Sequence, residues 1–194
     1  MFIRTERLFL RPGWIEDARE LAHAIGHQQV VRMLARAPWP YGEAEARAFL
    51  AMPQDFHLPN LLVTEPHERG RIIGGCGLNR TELGGIEVGY WITPARWGHG
   101  FAREALAGLL CGARMLGHRR ILARHALDNP ASGAVLRVTG FRPTGRTGRY
   151  HSLGRGEEIG SVEYALEPLG ECVPQRGRTC PGPYHAGQGF DAAA

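Results

Sequence analysis

Gly98 and Gly100 stand between a run that alternates like a strand, Ile86 to Ile92, and a run of helical period, Phe101 to Leu116. A strand, a glycine-spaced turn and a helix start leave successive main-chain N–H groups without an intrachain partner, all aimed into one concavity. The helix dipole adds positive potential there. Such a place binds a phosphate or a diphosphate and needs no lysine to do so. Glycine lets the main chain approach the anion closely, and Arg96 and Arg103 bring charge nearby. A dinucleotide fingerprint is excluded: its third glycine falls at position 103, which is arginine, and the preceding strand belongs to an antiparallel meander. A helix start with no ligand is the plainer reading of the same spacing.

Along the strand, Ile86, Val88, Tyr90 and Ile92 share one face and Glu87, Gly89 and Trp91 the other. Gly89 leaves room beside Glu87, whose carboxylate suits the removal of one proton from an attacking group, directly or through water. A half-solvated strand glutamate is the alternative. Trp39 and Tyr41, rigid aromatics in the loop Pro38-Trp39-Pro40-Tyr41, either wall an acceptor pocket or pin their loop to the core. Tyr150 and His151, in a Gly/Arg-rich hairpin from Gly145 to Gly156, are further candidates for that pocket.

Other chemistries drop out. All 23 basic residues are arginine, so a P-loop, a protein kinase or a Schiff-base enzyme lacks its amine. His125, Asp128 and Ser132 lie close in sequence, but there is no G-x-S-x-G elbow, and one strand-to-helix segment rarely builds a whole triad. Cys76, Cys111, Cys172 and Cys180 show no C-x-x-C spacing, Cys172, Cys180 and His185 match no zinc pattern, and no metal is expected. The net charge of +4 is compatible with a phosphorylated ligand and gives no strong nucleic-acid signal. No apolar signal region and no membrane-spanning run is present, so the expected compartment is the cytoplasm.

The elements that position these residues follow from periodicity and turn chemistry. Strands are expected at Glu6–Arg11, Asn60–Thr64, Arg71–Leu78, Ile86–Ile92 and Arg120–Leu127, with one or two more from Phe141 to Leu166. Helices are expected at Ile15–Leu34, broken at Gly26, at Glu43–Met52, at Phe101–Leu116 and from Pro130 to Val138 behind the cap residue Asn129. The result is an α+β domain with a mixed, mostly antiparallel central sheet and flanking helices. A helix crosses over between Ile86–Ile92 and Arg120–Leu127, which makes those two strands parallel neighbours. The domain spans residues 1–168; residues 169–194 form a tail with five glycines and three prolines, too poor in apolar residues to fold alone.

The turn Arg96-Trp97-Gly98-His99-Gly100-Phe101-Ala102 resembles the acetyl-coenzyme A loop of the GNAT superfamily of N-acetyltransferases. Thr5-Glu6-Arg7-Leu8, Leu10-Arg11-Pro12, Asp17-Ala18, Pro38-Trp39-Pro40-Tyr41, Gly89-Tyr90-Trp91-Ile92, Glu104-Ala105-Leu106, Asn129 with Ser132, and Gly140-Phe141-Arg142 are similar, in order, to its ribosomal-protein N-terminal acetyltransferase branch, the RimJ/RimL type. The likeness covers roughly residues 3 to 168.

The resemblance implies transfer of acetyl from acetyl-CoA, the co-substrate, to a primary amine by direct attack. It implies that the two parallel strands splay and that the pantetheine arm lies in the gap, against the main chain of Ile92 and Thr93. The amides from Trp97 to Ala102 (Trp97, Gly98, His99, Gly100, Phe101, Ala102), with Arg96, would meet the diphosphate. Asn129 and Ser132 would sit near the thioester, with Ser132 a candidate to protonate the departing thiolate. Glu87 is the candidate base, and Trp39, Tyr41 and Trp91 are the candidate acceptor-binding residues. An α-amino acceptor, with a pKa of about 7.7–8.0, is nearly neutral already, so positioning the two reactants does most of the work. The acceptor is a protein N-terminus or a small amine, and the protein is a monomer or a homodimer. The competing reading is a non-catalytic GNAT-like module that binds acyl-CoA or RNA; Glu87, the glycine-spaced turn and the open strand face favour the enzyme.

Overall fold

The computed structural model describes residues 1–167. Eight strands form one sheet: β1 (Ile3–Arg4), β2 (Phe9–Pro12), β3 (Asn60–Glu65), β4 (Arg71–Arg80), β5 (Ile86–Ile92), β6 (Ile121–Ala126), β7 (Arg142–Ser152) and β8 (Glu157–Leu166). Their spatial order is β1-β2-β3-β4-β5-β6-β8-β7, antiparallel throughout except for the β5–β6 pair. The helices are α1 (Ala18–Ile25), α2 (Gln28–Val31), α3 (Glu43–Leu50), α4 (Phe101–Met115) and α5 (Pro130–Val138). The expected α+β architecture is present.

The sheet buries both faces, and strand alternation sorts the side chains between them. Leu61 and Val63 of β3 join Leu8, Leu10, Ile73, Val88, Ile92 and Ile121 against the α4 stripe Ala105, Leu106, Leu109 and Ala113. Leu62, one residue out of phase, packs on the opposite face with Ile72, Ala18 and Leu21 of α1 and Ala46 of α3. Gly108 and Gly112 are notches in α4: a Cβ there would fall 2.9 Å from Thr5 Cγ2 and 2.9 Å from Met1 Sδ, respectively. The N-terminal segment crosses α4 through these notches, which brings Thr5 to the start of the helix.

β5, α4 and α5 occupy the expected positions, and the helix expected at Ile15–Leu34 breaks at Gly26. One expectation needs correction. The strand expected at Glu6–Arg11 begins only at Phe9, as β2, and residues 5–8 turn back to the unexpected β1, because Thr5 N–H donates to Leu8 O at 3.0 Å and the Thr5 hydroxyl bonds the same carbonyl at 3.2 Å. The hairpin expected at Gly145 to Gly156 is present, and most of it is strand. Thr147 to Ser152 pair in register with Val162 to Glu157, and the glycine content is absorbed by an irregularity between Pro143 and Thr147, where Gly145 has φ +80°. The turn itself is confined to residues 153–156. Residues 169–194 lie outside the described residues, and with them the expected tail, Cys172, Cys180 and His185.

Candidate active site

β5 and β6 pair at only Glu87↔Leu122 and Val88↔Ala123, so beyond Val88 the two parallel strands part. On its other edge β5 stays paired with β4 as far as Gly74↔Ile92. There the Thr93 amide donates to Ile73 O at 2.8 Å, which turns the main-chain groups of Thr93 toward β4. By antiparallel alternation, the N–H and C=O groups of Tyr90 and Ile92 face the gap. The Ile92 carbonyl accepts the indole N–H of Trp97 at 2.6 Å. The gap is therefore lined by the main chain of Tyr90 and by the Ile92 amide, while the Thr93 amide is spent within the sheet.

At the mouth of the gap a single turn of helix, Pro94–Arg96, leads into Trp97, Gly98, His99 and Gly100, all exposed. Gly98 (φ +79°) and Gly100 (φ +77°) take the left-handed conformation that only glycine adopts freely. Gly100 is the N-cap of α4, and the first helix-closing bond runs from Glu104 N–H to Gly100 O at 3.1 Å. The Trp97 amide, expected to meet the ligand, instead donates to Pro94 O at 3.1 Å, while among the described residues the amides of 98–103 have no main-chain acceptor. Arg96, expected beside the ligand, is already engaged, its Nε 2.8 Å from Glu65 Oε2, and the side chain of Phe101, the first residue of α4, is buried in the core. Arg103 is exposed.

On the helix side of the gap, α5 begins at Asn129, whose side-chain oxygen accepts the Ser132 amide at 3.2 Å. The Ser132 hydroxyl lies 2.8 Å from the Tyr90 phenol oxygen, and the same phenol donates to Ser132 O at 3.0 Å. Burial pushes the Tyr90 phenol up to about 12, so it remains a neutral O–H at ordinary pH. Tyr90 is the functional candidate that sequence reasoning missed: alternation grouped it with Ile86, Val88 and Ile92, the face that the structure turns to the core.

Glu87, Gly89 and Trp91 occupy the other face, as expected. Glu87 is half-buried, and a Cβ at Gly89 would meet nothing within 4 Å, so the space beside Glu87 is open. Burial raises the Glu87 carboxyl above the ordinary glutamate range, against the pull of the Arg124 and Arg36 charges and reinforced by Glu163. Arg124 itself reaches Glu163 at 3.4 Å, and Arg36 donates to Asn79 Oδ1 at 3.1 Å. Trp91 and Tyr41 pack together against Val31 and Ala37 on one side and Ala46 and Leu62 on the other. Trp39 remains 42% exposed, so of the three aromatics it has the most surface free for an acceptor.

The rim of this face is tied together by Arg155 in the β7–β8 turn. Its Nε donates to Arg32 O at 2.6 Å, and both terminal nitrogens reach the Asp128 carboxylate at 2.9 Å. Leu153 N–H adds a bond to Ala35 O at 3.0 Å, and Tyr150 is half-buried nearby, within the field of Glu87, Asp128 and Arg155. His151 points away, 3.7 Å from Glu158. A shallow basic hollow lined by Arg4, Arg11, Arg69 and Trp14 lies at the β2 edge of the sheet, and its Arg11 is held at 2.7 Å by Asp17. Cys76 is buried, its thiol pushed up to about 12 by desolvation, and is inert. Among the described residues no helix is long and apolar enough to cross a membrane, and no cluster of three or more His, Cys, Asp or Glu is placed to hold a metal ion.

Comparison with known proteins agrees with this geometry. The family described as acetyltransferase (GNAT) domain matches residues 7–142. An uncharacterized N-acetyltransferase, p20, of Bacillus licheniformis is 32% identical over 171 residues, covering 84% of this chain and 93% of that protein. Among solved structures, a ribosomal L7/L12 alpha-N-protein acetyltransferase in complex with coenzyme A has a TM-score of 0.71 at 19% identity, covering 87% of this chain and 99% of its own. The Microcin C7 self immunity acetyltransferase, in complex with acetyl-CoA and AMP, has a TM-score of 0.70 at 17% identity, covering 84% and 93%. These structural likenesses are likenesses of fold.

Proposed function

The chain belongs to the GNAT acetyltransferases, and from that premise we propose that it moves an acetyl group from acetyl-CoA to a primary amine by direct attack. One observation carries the reading: the parallel pairing of β5 and β6 stops after two residue pairs, beside an exposed, glycine-spaced helix start. The gap is wide at the end where amides gather and closes at Glu87, so a donor anchored by its diphosphate is directed toward that carboxylate.

In this reading the amides of 98–103 hold the diphosphate, with Arg103 nearby, and the main chain of Tyr90 with the Ile92 amide holds the pantetheine arm. The acceptor amine enters on the Glu87 face, against Trp39, Tyr41 and Trp91. A carboxylate there takes the proton that the nitrogen sheds as the new C–N bond forms; its elevated pKa makes it a better base than a solvated glutamate. As the C–S bond breaks, the electron pair stays on sulfur, and the Ser132 hydroxyl, backed by the Tyr90 phenol, supplies the proton. Asn129 sets the position of Ser132 by capping α5.

The acceptor we favour is an α-amino group, either a protein N-terminus, as in the ribosomal L7/L12 enzyme, or a small amine, because it is close to neutral before it binds. Catalysis resides in residues 1–168, with residues 169–194 as a separate tail, and the cytoplasm is the proposed compartment. The test is free-thiol release from acetyl-CoA in the presence of a panel of amines, for the wild type and for Glu87→Gln. Thiol release that depends on the amine and falls in the variant supports the reading. No release with any amine, together with no rise in melting temperature at millimolar acetyl-CoA, sinks it.

A further inference from the structure

We propose that Arg7, itself held by Glu104, is a positioning residue for the diphosphate-binding turn, acting through the His99 carbonyl to fix the direction in which the Gly100 amide points. The inference rests on the reading of that turn given above. Arg7 lies 92 residues from His99 in sequence, yet its Nη1 donates to the His99 carbonyl at 3.0 Å. A peptide unit is planar and trans, so the carbonyl of His99 and the N–H of Gly100 point in opposite directions. Holding that carbonyl on Arg7 therefore turns the Gly100 N–H away from Arg7, toward the mouth of the gap. Gly100 has φ +77° and no side chain to fix its orientation, so an outside contact is what holds this peptide plane.

Arg7 is itself held on three sides. Its Nε donates to Glu104 Oε2 at 2.7 Å, its main-chain N–H donates to Glu104 Oε1 at 2.7 Å, and its guanidinium lies 4.4 Å over the Phe101 ring. Glu104 Oε1 also accepts the Thr5 hydroxyl at 2.6 Å. Glu104 stands in the first turn of α4, where a bare carboxylate would satisfy the helix dipole and repel an incoming diphosphate. The ion pair with Arg7 cancels that repulsion while leaving the amides unoccupied. Burial pushes the Glu104 carboxyl up, but the bonds from Thr5 and Arg7 outweigh it and hold the group below the ordinary glutamate value.

The test compares two donors, acetyl-CoA and S-acetylpantetheine, which lacks the diphosphate, for the wild type, Arg7→Lys and Glu104→Gln. Lysine keeps the charge but cannot reach Glu104 and the His99 carbonyl with one fork. The expected result is a rise of about tenfold in KM for acetyl-CoA, and in the coenzyme A Kd by calorimetry, with kcat within about twofold and S-acetylpantetheine kinetics unchanged. An equal loss on both donors marks a general defect of folding and overturns the proposal, as does no loss on either. A wild type that uses the two donors equally well overturns the reading of the turn itself, and the role of Arg7 with it.

Discussion

The Tyr90 phenol and the Ser132 hydroxyl, 42 residues apart in sequence, meet at 2.8 Å across the gap between β5 and β6. They are the side-chain link between the free end of β5 and the first turn of α5. Because the phenol donates to a main-chain carbonyl and touches the hydroxyl, it orients the side chain proposed to protonate the leaving thiolate. Tyr90→Phe removes only the oxygen. We expect kcat to fall by about tenfold with KM for acetyl-CoA little changed, and a stability loss of about 1 kcal/mol. Ser132→Ala should lower kcat further, and the double variant should be no worse than Ser132→Ala alone, as befits two groups acting as a unit. Additive losses in steady-state kinetics would separate them.

Glu87 gives a pH signature with two opposite signs. Its folded pKa lies above the ordinary 4.5 because burial penalises the carboxylate. Activity that needs the carboxylate should therefore rise with pH through a value above 4.5, and that limb of kcat/KM should vanish in Glu87→Gln along with about 100-fold of the rate at neutral pH. Stability runs the other way. A raised folded pKa contributes stability that is present below the unfolded value and is lost as pH rises through the folded one. Glu87→Gln should therefore melt higher than the wild type at neutral pH and no higher in acid, read by thermal scans at both.

Gly98 faces open space, so a methyl group there meets nothing within 4 Å, and the cost of Gly98→Ala is conformational, from φ +79°. That strain is about 1 kcal/mol, and relieving it rotates the amides away from their common focus. We expect KM for acetyl-CoA to rise about fivefold, with kcat retained. An unchanged KM would mean that this turn does not grip the donor.

Arg155→Ala cuts the β7–β8 turn free of Arg32 O and of Asp128, which directly precedes the α5 cap Asn129. The Asp128 carboxyl is held low chiefly by its hydrogen bond from Arg155. A lowered folded pKa gives stability that is present above the unfolded value and is lost as pH falls through the folded one. Removing Arg155 should therefore lower the melting temperature at neutral pH and narrow its difference from the wild type in acid. Thermal scans across that range check it, and an equal deficit at every pH would assign the loss to packing alone.

The parts of this molecule written in local pattern were legible from the chain: Ile86–Ile92 by its alternation, α5 by the Asn129-Pro130 start, and the turn at Gly98 and Gly100 by residue type. The crossover helix was enough to make β5 and β6 neighbours. The extent of β7 was not legible because residues 145–156 hold seven glycines and arginines, a turn-like composition, while pairing with β8, a long-range effect, overrode local propensity. At the site, the face of Glu87 followed from period two, but the direction of the Thr93 amide did not. It depends on the register Gly74↔Ile92, a property of two strands rather than one. Arg7 with Glu104, 97 residues apart, and Arg155 with Asp128 are contacts that only the folded chain brings together.

The early parting of β5 from β6 has a mechanical consequence. Strands β1–β5 and β6–β8 are two half-sheets buttoned together at Glu87 and Val88, with α4 as the strap behind them. The main-chain groups of Tyr90 and the amide of Ile92 are a sheet edge turned inward, shielded from other chains yet still lacking a neighbouring strand. A donor lying there is a temporary splint, so each turnover ends with the seam unbraced. Amide exchange at residues 90 and 92 should then be the slowest when coenzyme A is present and among the first to quicken when it leaves.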